Sequence, residues 1–421
     1  MYRKDTLTNG IRVVSETLPK SRSISIGVWV KVGSRHEPAQ LGGVSHFIEH
    51  LFFKGTEKRS AKEIAIAMDS IGGEMNAFTT HETTTYYAKV VDEHLPIAVD
   101  ILSDILMSSK FDPQEMEKER KVILEEIKGA EDTPDDHIQD LFTDAVWPNN
   151  PLGRPILGTR ETIRTLRHQD LISYREQYYG PREIVISVAG NFEHGRLIEL
   201  LNASFGTLSR TSMRKEEITP AFTPALVVKK KQLEQVQLCI GCKGLPFTHE
   251  NRYVLSALNT VLGGSMSSRL FQEVREQNAL AYSIYSSNAQ SYRDTGLLTI
   301  YAGTDSSNAL ETIRIILKEL KKIKNEGITF AEKTRVKNQV KGSLVLSLES
   351  SNSHMSRIAR HEIYYGKYLS VDDIIKGVEK VTKDQVQELA QQIFTRDNCG
   401  LAVLGPLGKS DIPDSLFDIL S

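Results

Sequence analysis

The stretch ISIGVWVKVGSRHEPAQLGGVSHFIEHLFF, residues 24–53, decides how the chain is read. Its opening, ISIGVWVKVGS (24–34), alternates as a strand does. Its close, VSHFIEHLFF (44–53), changes to the spacing of a helix. The same order returns in the second half. VQLCIGCKG (236–244) stands in the place of GVWVKVGSR, and NRYVLSALNTVLG (251–263) in the place of the HFIEH helix. TRVKNQVKGSL (334–344) matches MEKERKVILEE (116–126), and TKDQVQELAQQIFTRDNCGLAVLGP matches RHQDLISYREQYYGPREIVISVAGN. Aligning Glu115 with Glu332 and Leu166 with Thr382 gives offsets of 217 and 216, near half of the 421 residues. The chain is therefore expected to be an α+β protein of two structurally similar domains from an internal duplication. Each domain would pack a mostly antiparallel sheet with helices.

Around this frame the first half reads as a hairpin turning at Asn9-Gly10, then strand, two helices (44–53 and 61–71), and the strand-rich GGEMNAFTTHETTTYYAKVV (72–91). A helix PIAVDILSDILMSS follows, then a charged helix from Pro113 to about Ala130, opened by Asp112 as cap and proline at the first turn. The acidic run EDTPDD (131–136) reads as a turn, and 162–178 as one helix. The expected division is a metal-binding domain over 1–210, a polar linker over 211–224, and a homologous domain without metal over 225–421.

Lys and Arg total 52 against 54 Asp and Glu, so no overall basic field favours nucleic acid. No apolar run is long enough to cross a membrane, and MYRKDTLTNGIRVV lacks the features of a leader, so the cytoplasm is the expected compartment. The three cysteines, Cys239, Cys242 and Cys399, argue against a disulfide framework. Cys239 and Cys242 sit in a strand pattern and read as small strand residues rather than as a redox pair.

The chemistry lies in His46-Phe-Ile-Glu49-His50. Four residues apart on a helix, the two imidazoles project from one face and suit one zinc ion. Glu49 shares that face and can take a proton from a metal-activated water and deliver it to a leaving amine. A catalytic site needs a third protein ligand. Among the glutamates of helix 113–130, Glu119 and Glu126 are seven apart on a partly apolar face, whereas Glu115, Glu117 and Glu125 read as solvated charge. The second half has no HxxEH, and Ser343 stands where Glu126 would.

HFIEHLFFKGT, GGEMNAFTTHETTTYY, GRPILGT (153–159) and a glutamate 76 residues after the second histidine together resemble the pitrilysin/insulinase zinc peptidases. The resemblance spans essentially the whole chain and is strongest to the short-chain branch that includes the β subunit of the mitochondrial processing peptidase. It implies one Zn2+ per chain on His46, His50 and Glu126, with Glu119 supporting the site. It places Asn76 and Ala77 on an edge strand that binds extended peptide. Arg275 and Tyr282 match an R-x6-Y element expected to hold the substrate carbonyl. Asp136 and Asp140 match acidic residues that hold an arginine near the cleavage site. Longer members close as a clamshell of four domains, so a chain with two implies a clamshell on dimerisation, as a homodimer or with a paralogue. The implied function is a zinc endopeptidase acting on peptides or unfolded segments. The alternative is a non-catalytic scaffold or partner subunit, but such members lack one or more of the site residues, and all are present here.

Overall fold

A computed structural model describes residues 1–210, 213 and 217–421. Of the expected linker 211–224, residues 211, 212 and 214–216 lie outside the described residues. In chain order the first half runs β1 (Tyr2–Thr6), β2 (Arg12–Thr17), β3 (Ser23–Val30), α1 (Val44–Phe52), α2 (Ala61–Asp69), β4 (Glu74–Thr79), β5 (Thr84–Val91), α3 (Leu95–Ser108), α4 (Pro113–Asp132), α5 (Pro134–Val146), α6 (Arg160–Thr165), α7 (His168–Tyr178), β6 (Ile184–Gly190) and α8 (His194–Phe205). The second half runs β7 (Leu226–Lys230), β8 (Val236–Lys243), α9 (Arg252–Leu262), β9 (Ala281–Ser287), β10 (Leu297–Thr304), α10 (Ala309–Glu326), α11 (Phe330–Ser347), α12 (Ser351–Arg360), α13 (Val371–Glu379), α14 (Lys383–Ile393) and β11 (Cys399–Gly405).

These elements form two compact units. Unit one comprises Met1–Lys128, Arg154–Glu217 and Leu346–Tyr368. Unit two comprises Gly129–Gly153, Ile218–Val345 and Leu369–Ser421. Unit one is built on a six-stranded sheet ordered β1-β2-β6-β3-β5-β4, antiparallel except for the β2/β6 pair. Unit two has a five-stranded sheet ordered β7-β11-β8-β10-β9, antiparallel except for β7/β11. The paired α+β architecture read from the repeat is what the structure shows.

Each sheet is covered on both faces. In unit one, Ile24, Ile26 and Val28 of β3 face a core shared with α1, α3 and α8. The opposite face, with Trp29 and Val185, is covered by Met355, Ile358 and Ala359 of α12. Polar groups fix that helix: Glu16 lies 2.8 Å from both His354 Nδ1 and Arg357, and the Ser351 and Ser25 hydroxyls are 2.9 Å apart. In unit two, Val236, Leu238 and Ile240 of β8 face the core with α9, α10 and α14. Here the second face, with Cys239, Tyr301 and Ala402, is covered by Ile138, Phe142 and Val146 of α5. Each half of the sequence thus contributes one helix to the other half's sheet.

Helix α5 corrects the reading of EDTPDD as a turn. Thr133 and Pro134 break α4 and restart the chain as α5, with proline in the first turn. The apolar i, i+4, i+8 face of Ile138, Phe142 and Val146 follows directly. The expected single helix 162–178 is likewise two helices, each opened by its own capping interaction at Thr159 and Arg167. Cys242 corrects the cysteine reading. It lies opposite Cys399 on antiparallel neighbours, with Cα atoms 4.2 Å apart, and the two are disulfide-bonded across 157 residues of sequence. Cys239 is buried and free, as a small strand residue.

Unit two also holds a buried ion pair, Arg269 Nε to Glu332 Oε1 at 2.7 Å. Arg269 and the Thr329 backbone hydrogen-bond the Glu332 carboxylate and lower its pKa from 4.5 to about 2, against the opposing effect of burial. A depressed folded pKa means that this contribution is present at neutral pH, declines below 4.5 and is lost as pH falls through about 2.

The exchanged helices approach their sheets closely at glycines. A Cβ at Gly27 would lie 2.5 Å from Met355 Sδ, and one at Gly241 would collide with the Phe142 ring. Gly241→Ala is therefore expected to destabilise the protein by about 1–3 kcal/mol, read from urea denaturation. Gly241→Ala combined with Phe142→Leu should recover part of the loss. Additive losses in the double variant would show that α5 is not the element displaced.

Candidate metal centre

Helix α1 is buried at seven of its nine residues, so its polar groups must be satisfied within unit one. Its N-terminus is held from three directions. Gly43 has φ 89°, and a Cβ there would lie 2.6 Å from the Leu157 carbonyl oxygen. The Glu37 carboxylate accepts from the Gly43 and Ser45 N–H groups at 2.7 and 2.8 Å, putting negative charge at the positive end of the helix. Arg154, from the GRPILGT stretch, donates to the Glu37 carbonyl at 2.7 Å. Burial pushes the Glu37 carboxyl up to about 7 despite these bonds.

So anchored, α1 presents His46, Glu49 and His50 on one face. The two imidazole rings have centroids 4.6 Å apart. Glu126 on α4 brings Oε2 to 3.8 Å from His46 Nε2 and 3.6 Å from His50 Nε2. Tetrahedral zinc with bonds of roughly 2.0–2.1 Å separates its ligand atoms by roughly 3.3–3.5 Å. The observed spacings therefore need only a slight contraction around an ion. Among the described residues, these three form the group of potential donors whose ligand atoms lie within 4.8 Å of one another. Burial, and secondarily the charge of His50, lowers His46 to about 3, which keeps its imidazole neutral and able to donate a lone pair. Two imidazoles, one carboxylate and room for a water make the donor set of a catalytic zinc site.

The surrounding groups orient these donors. Glu119, 4% exposed, accepts at 2.9 Å from His50 Nδ1, which fixes the tautomer that turns the Nε2 lone pair toward Glu126. The other Glu119 oxygen lies 2.6 Å from the Lys54 ammonium. Glu49 is buried, and its carboxylate accepts from the Thr79 hydroxyl. Burial raises the Glu49 pKa, and the Thr79 hydrogen bond acts against it. Beside the donors, Asn76 and Ala77 of β4 line a cavity of about 330 Å³ together with Glu49, His50, Phe53, Lys54, Glu119 and Val122. The Asn76 side-chain oxygen accepts from the Ala77 N–H at 2.8 Å. The helical-face argument singled out Glu119 and Glu126, and the structure brings both to the histidines. Lys54 and Thr79 escaped the sequence reading, because a lysine after an apolar run and a threonine among threonines carry no spacing signal.

The remaining candidates lie in unit two. Arg275 stacks its guanidinium 4.7 Å from the Tyr282 ring centre and 4.8 Å from that of Phe271. Tyr282, on the terminal strand β9, is 78% exposed. Asp136 and Asp140 share a face of α5, one turn apart. Burial, with the Asp136 charge, pushes Asp140 up to about 6. On α9, the helix corresponding to α1, the side-chain oxygen of Asn259 accepts from the Ser286 hydroxyl at 2.7 Å.

Residues 12–160 match the family model described as insulinase (peptidase family M16), and residues 165–340 match the one described as peptidase M16 inactive domain. The chain belongs to the M16 family of insulinase-like peptidases. A zinc protease of Bacillus subtilis named YmxG is 47% identical over 409 residues, covering 97% of this chain and 99% of that one. A zinc protease of Mycobacterium tuberculosis is 40% identical over 422 residues, covering 98% and 95%. Among solved structures, a protease from Helicobacter pylori superposes with TM-score 0.90 at 25% identity, covering 96% of this chain and 99% of that one. A Pseudomonas fluorescens protein titled as a peptidase M16 inactive domain has TM-score 0.91 at 15% identity over 97% and 98%, which shows the shared fold.

The Lys54–Glu119–His50 chain should set how tightly metal is held. Glu119→Ala is expected to weaken zinc binding about 10- to 100-fold, measured by competition with a chromogenic chelator. Unchanged affinity would mean that Glu119 does not orient His50.

Proposed function

We propose that this protein is a zinc endopeptidase that hydrolyses peptides and unfolded segments. The observation that carries the reading is the convergence of His46, His50 and Glu126 beside a buried glutamate and the terminal strand of a sheet. Zinc is the cofactor; when bound it acts as a Lewis acid and lowers the pKa of a coordinated water. Every other part of the reaction falls to the chain itself. An extended peptide adds to the free edge of β4, so that recognition is carried by main-chain hydrogen bonds near Asn76 and Ala77. Glu49 accepts a proton from the attacking water as the new C–O bond forms. It then delivers that proton to the amine nitrogen as the C–N bond breaks. Glu119 keeps His50 in its ligand tautomer.

The first domain, residues 1–210, is assigned the metal and the hydrolytic chemistry, and the second, 225–421, contributes further substrate-binding residues. Arg275 and Tyr282 are assigned to the carbonyl oxygen that gains charge in the transition state. Asp136 and Asp140 are assigned to a basic substrate residue. We assign the working unit as a clamshell homodimer, in which each site is completed by the second domain of the partner. No described helix is long and apolar enough to cross a membrane, and the substrate class needs none.

Metal analysis with peptide cleavage tests the core of this reading. Glu49→Gln is expected to retain about one zinc per chain and to lose roughly 10²–10⁴-fold in kcat. Loss of metal in that variant, or undiminished turnover, would refute the role of Glu49. The dimer is tested by mixing inactive Glu49→Gln and Arg275→Ala chains. Hybrid dimers unite an intact Glu49 on one chain with an intact Arg275 on the other, so activity should reappear on mixing. No recovery after verified subunit exchange would rule out shared sites.

A further inference from the structure

We propose that Thr79 is a positioning residue that holds the Glu49 carboxylate and links that hold to the pairing of a peptide along β4; this rests on the peptidase reading above. Along β4, Met75, Ala77 and Thr79 are half-buried, while Glu74, Asn76 and Phe78 are exposed. The side chains at 75, 77 and 79 therefore share the face of the strand that borders the metal donors. Their backbone groups are placed by the alternation of an antiparallel ladder. Thr80 N–H donates to the Thr83 carbonyl at 2.7 Å, so even-numbered positions turn toward the neighbouring strand. Odd-numbered positions turn to the open edge, and the Ala77 N–H, which takes its acceptor from the Asn76 side chain, agrees with this.

Thr79 thus has two connections. Its backbone lies on the edge that would receive a peptide, and its hydroxyl donates to Glu49 Oε2. The β-branched side chain is stiff about its first torsion, so the position of the strand fixes the position of the hydroxyl. A glutamate side chain has three rotatable bonds, and this hydrogen bond selects one arrangement. With Oε2 engaged, Oε1 remains as the proton acceptor. Burial removes the water that would otherwise compete for Oε2. A peptide that orders the end of β4 would thereby order the base at the same moment.

The test uses the zinc-loaded full chain, an unstructured fluorogenic peptide, and the variants Thr79→Val and Thr79→Ser. Valine keeps the shape and removes the hydroxyl; kcat is expected to fall roughly 10- to 100-fold. KM, zinc content and thermal unfolding should stay at wild-type values. Serine restores the hydroxyl and should return kcat close to wild type. Unchanged kcat in Thr79→Val, or equal losses in both variants, would overturn the proposal. A crystal structure of Thr79→Val reads the same point without turnover. Rotation of the Glu49 carboxylate away from its wild-type position supports the proposal, and an unmoved carboxylate overturns it. If the wild-type chain itself cleaves no peptide, the peptidase reading fails separately, and the crystal structure still decides what Thr79 does for Glu49.

Discussion

A helix buried at seven of its nine residues must have its polar groups satisfied by its neighbours, and that constraint on α1 organises the candidate metal centre. His46, Glu49 and His50 lie on a helix whose remaining residues are locked in the core by Phe47, Ile48, Leu51 and Phe52. The helix can neither rotate nor slide without breaking that packing. Glu37 and the Leu157 carbonyl fix its start, and β4 and α4 border its reactive face. Geometry that a metal site needs to within tenths of an ångström is thus inherited from apolar packing, and a few hydrogen bonds set the last torsions.

The parts of this arrangement that were legible in sequence are those with a period. The i, i+4 histidines, the seven-residue step from Glu119 to Glu126, and the repeat of strand-then-helix order all express helix or strand geometry directly. Elements whose placement depends on tertiary partners were not legible. The acidic start of α5 looked like a loop, because its apolar face begins only at Ile138 and its partner sheet lies more than ninety residues onward. The Cys242–Cys399 bond was hidden by 157 residues of separation, although strand register alone places the two opposite each other. Glu37 gave no signal because what it satisfies is backbone, and backbone groups carry no letter in the sequence.

The duplication explains how one sequence supports two stable units of unequal chemistry. Each sheet needs cover on both faces, and each half supplies the other's missing layer, α5 in one direction and α12 in the other. A chain that folds this way cannot lose one half and keep the other's second face covered. Selection on stability therefore acts on both halves, while selection on chemistry can act on one.

In unit two, Asn259 of α9 accepts from the Ser286 hydroxyl, and the Glu332 carboxylate of α11 accepts from Arg269 and the Thr329 backbone, although Arg269 Nη1 is itself buried with no hydrogen-bond partner among the described residues. In unit one, His46 Nδ1 is buried with no hydrogen-bond partner among the described residues, and Glu49 is buried with its carboxylate accepting from the Thr79 hydroxyl. An unmatched buried polar atom costs about 1–3 kcal/mol. A purely structural helix would be more stable with apolar residues in place of such groups. Their presence on the most deeply held helix of unit one makes sense where a ligand at the His46 Nε2 side repays them, because binding energy to the folded state adds to its stability. The unmatched Nδ1 of His46 and the buried carboxylate of Glu49 are thus themselves indicators of function, and both lie within the five residues, His46 to His50, that the sequence pattern picks out.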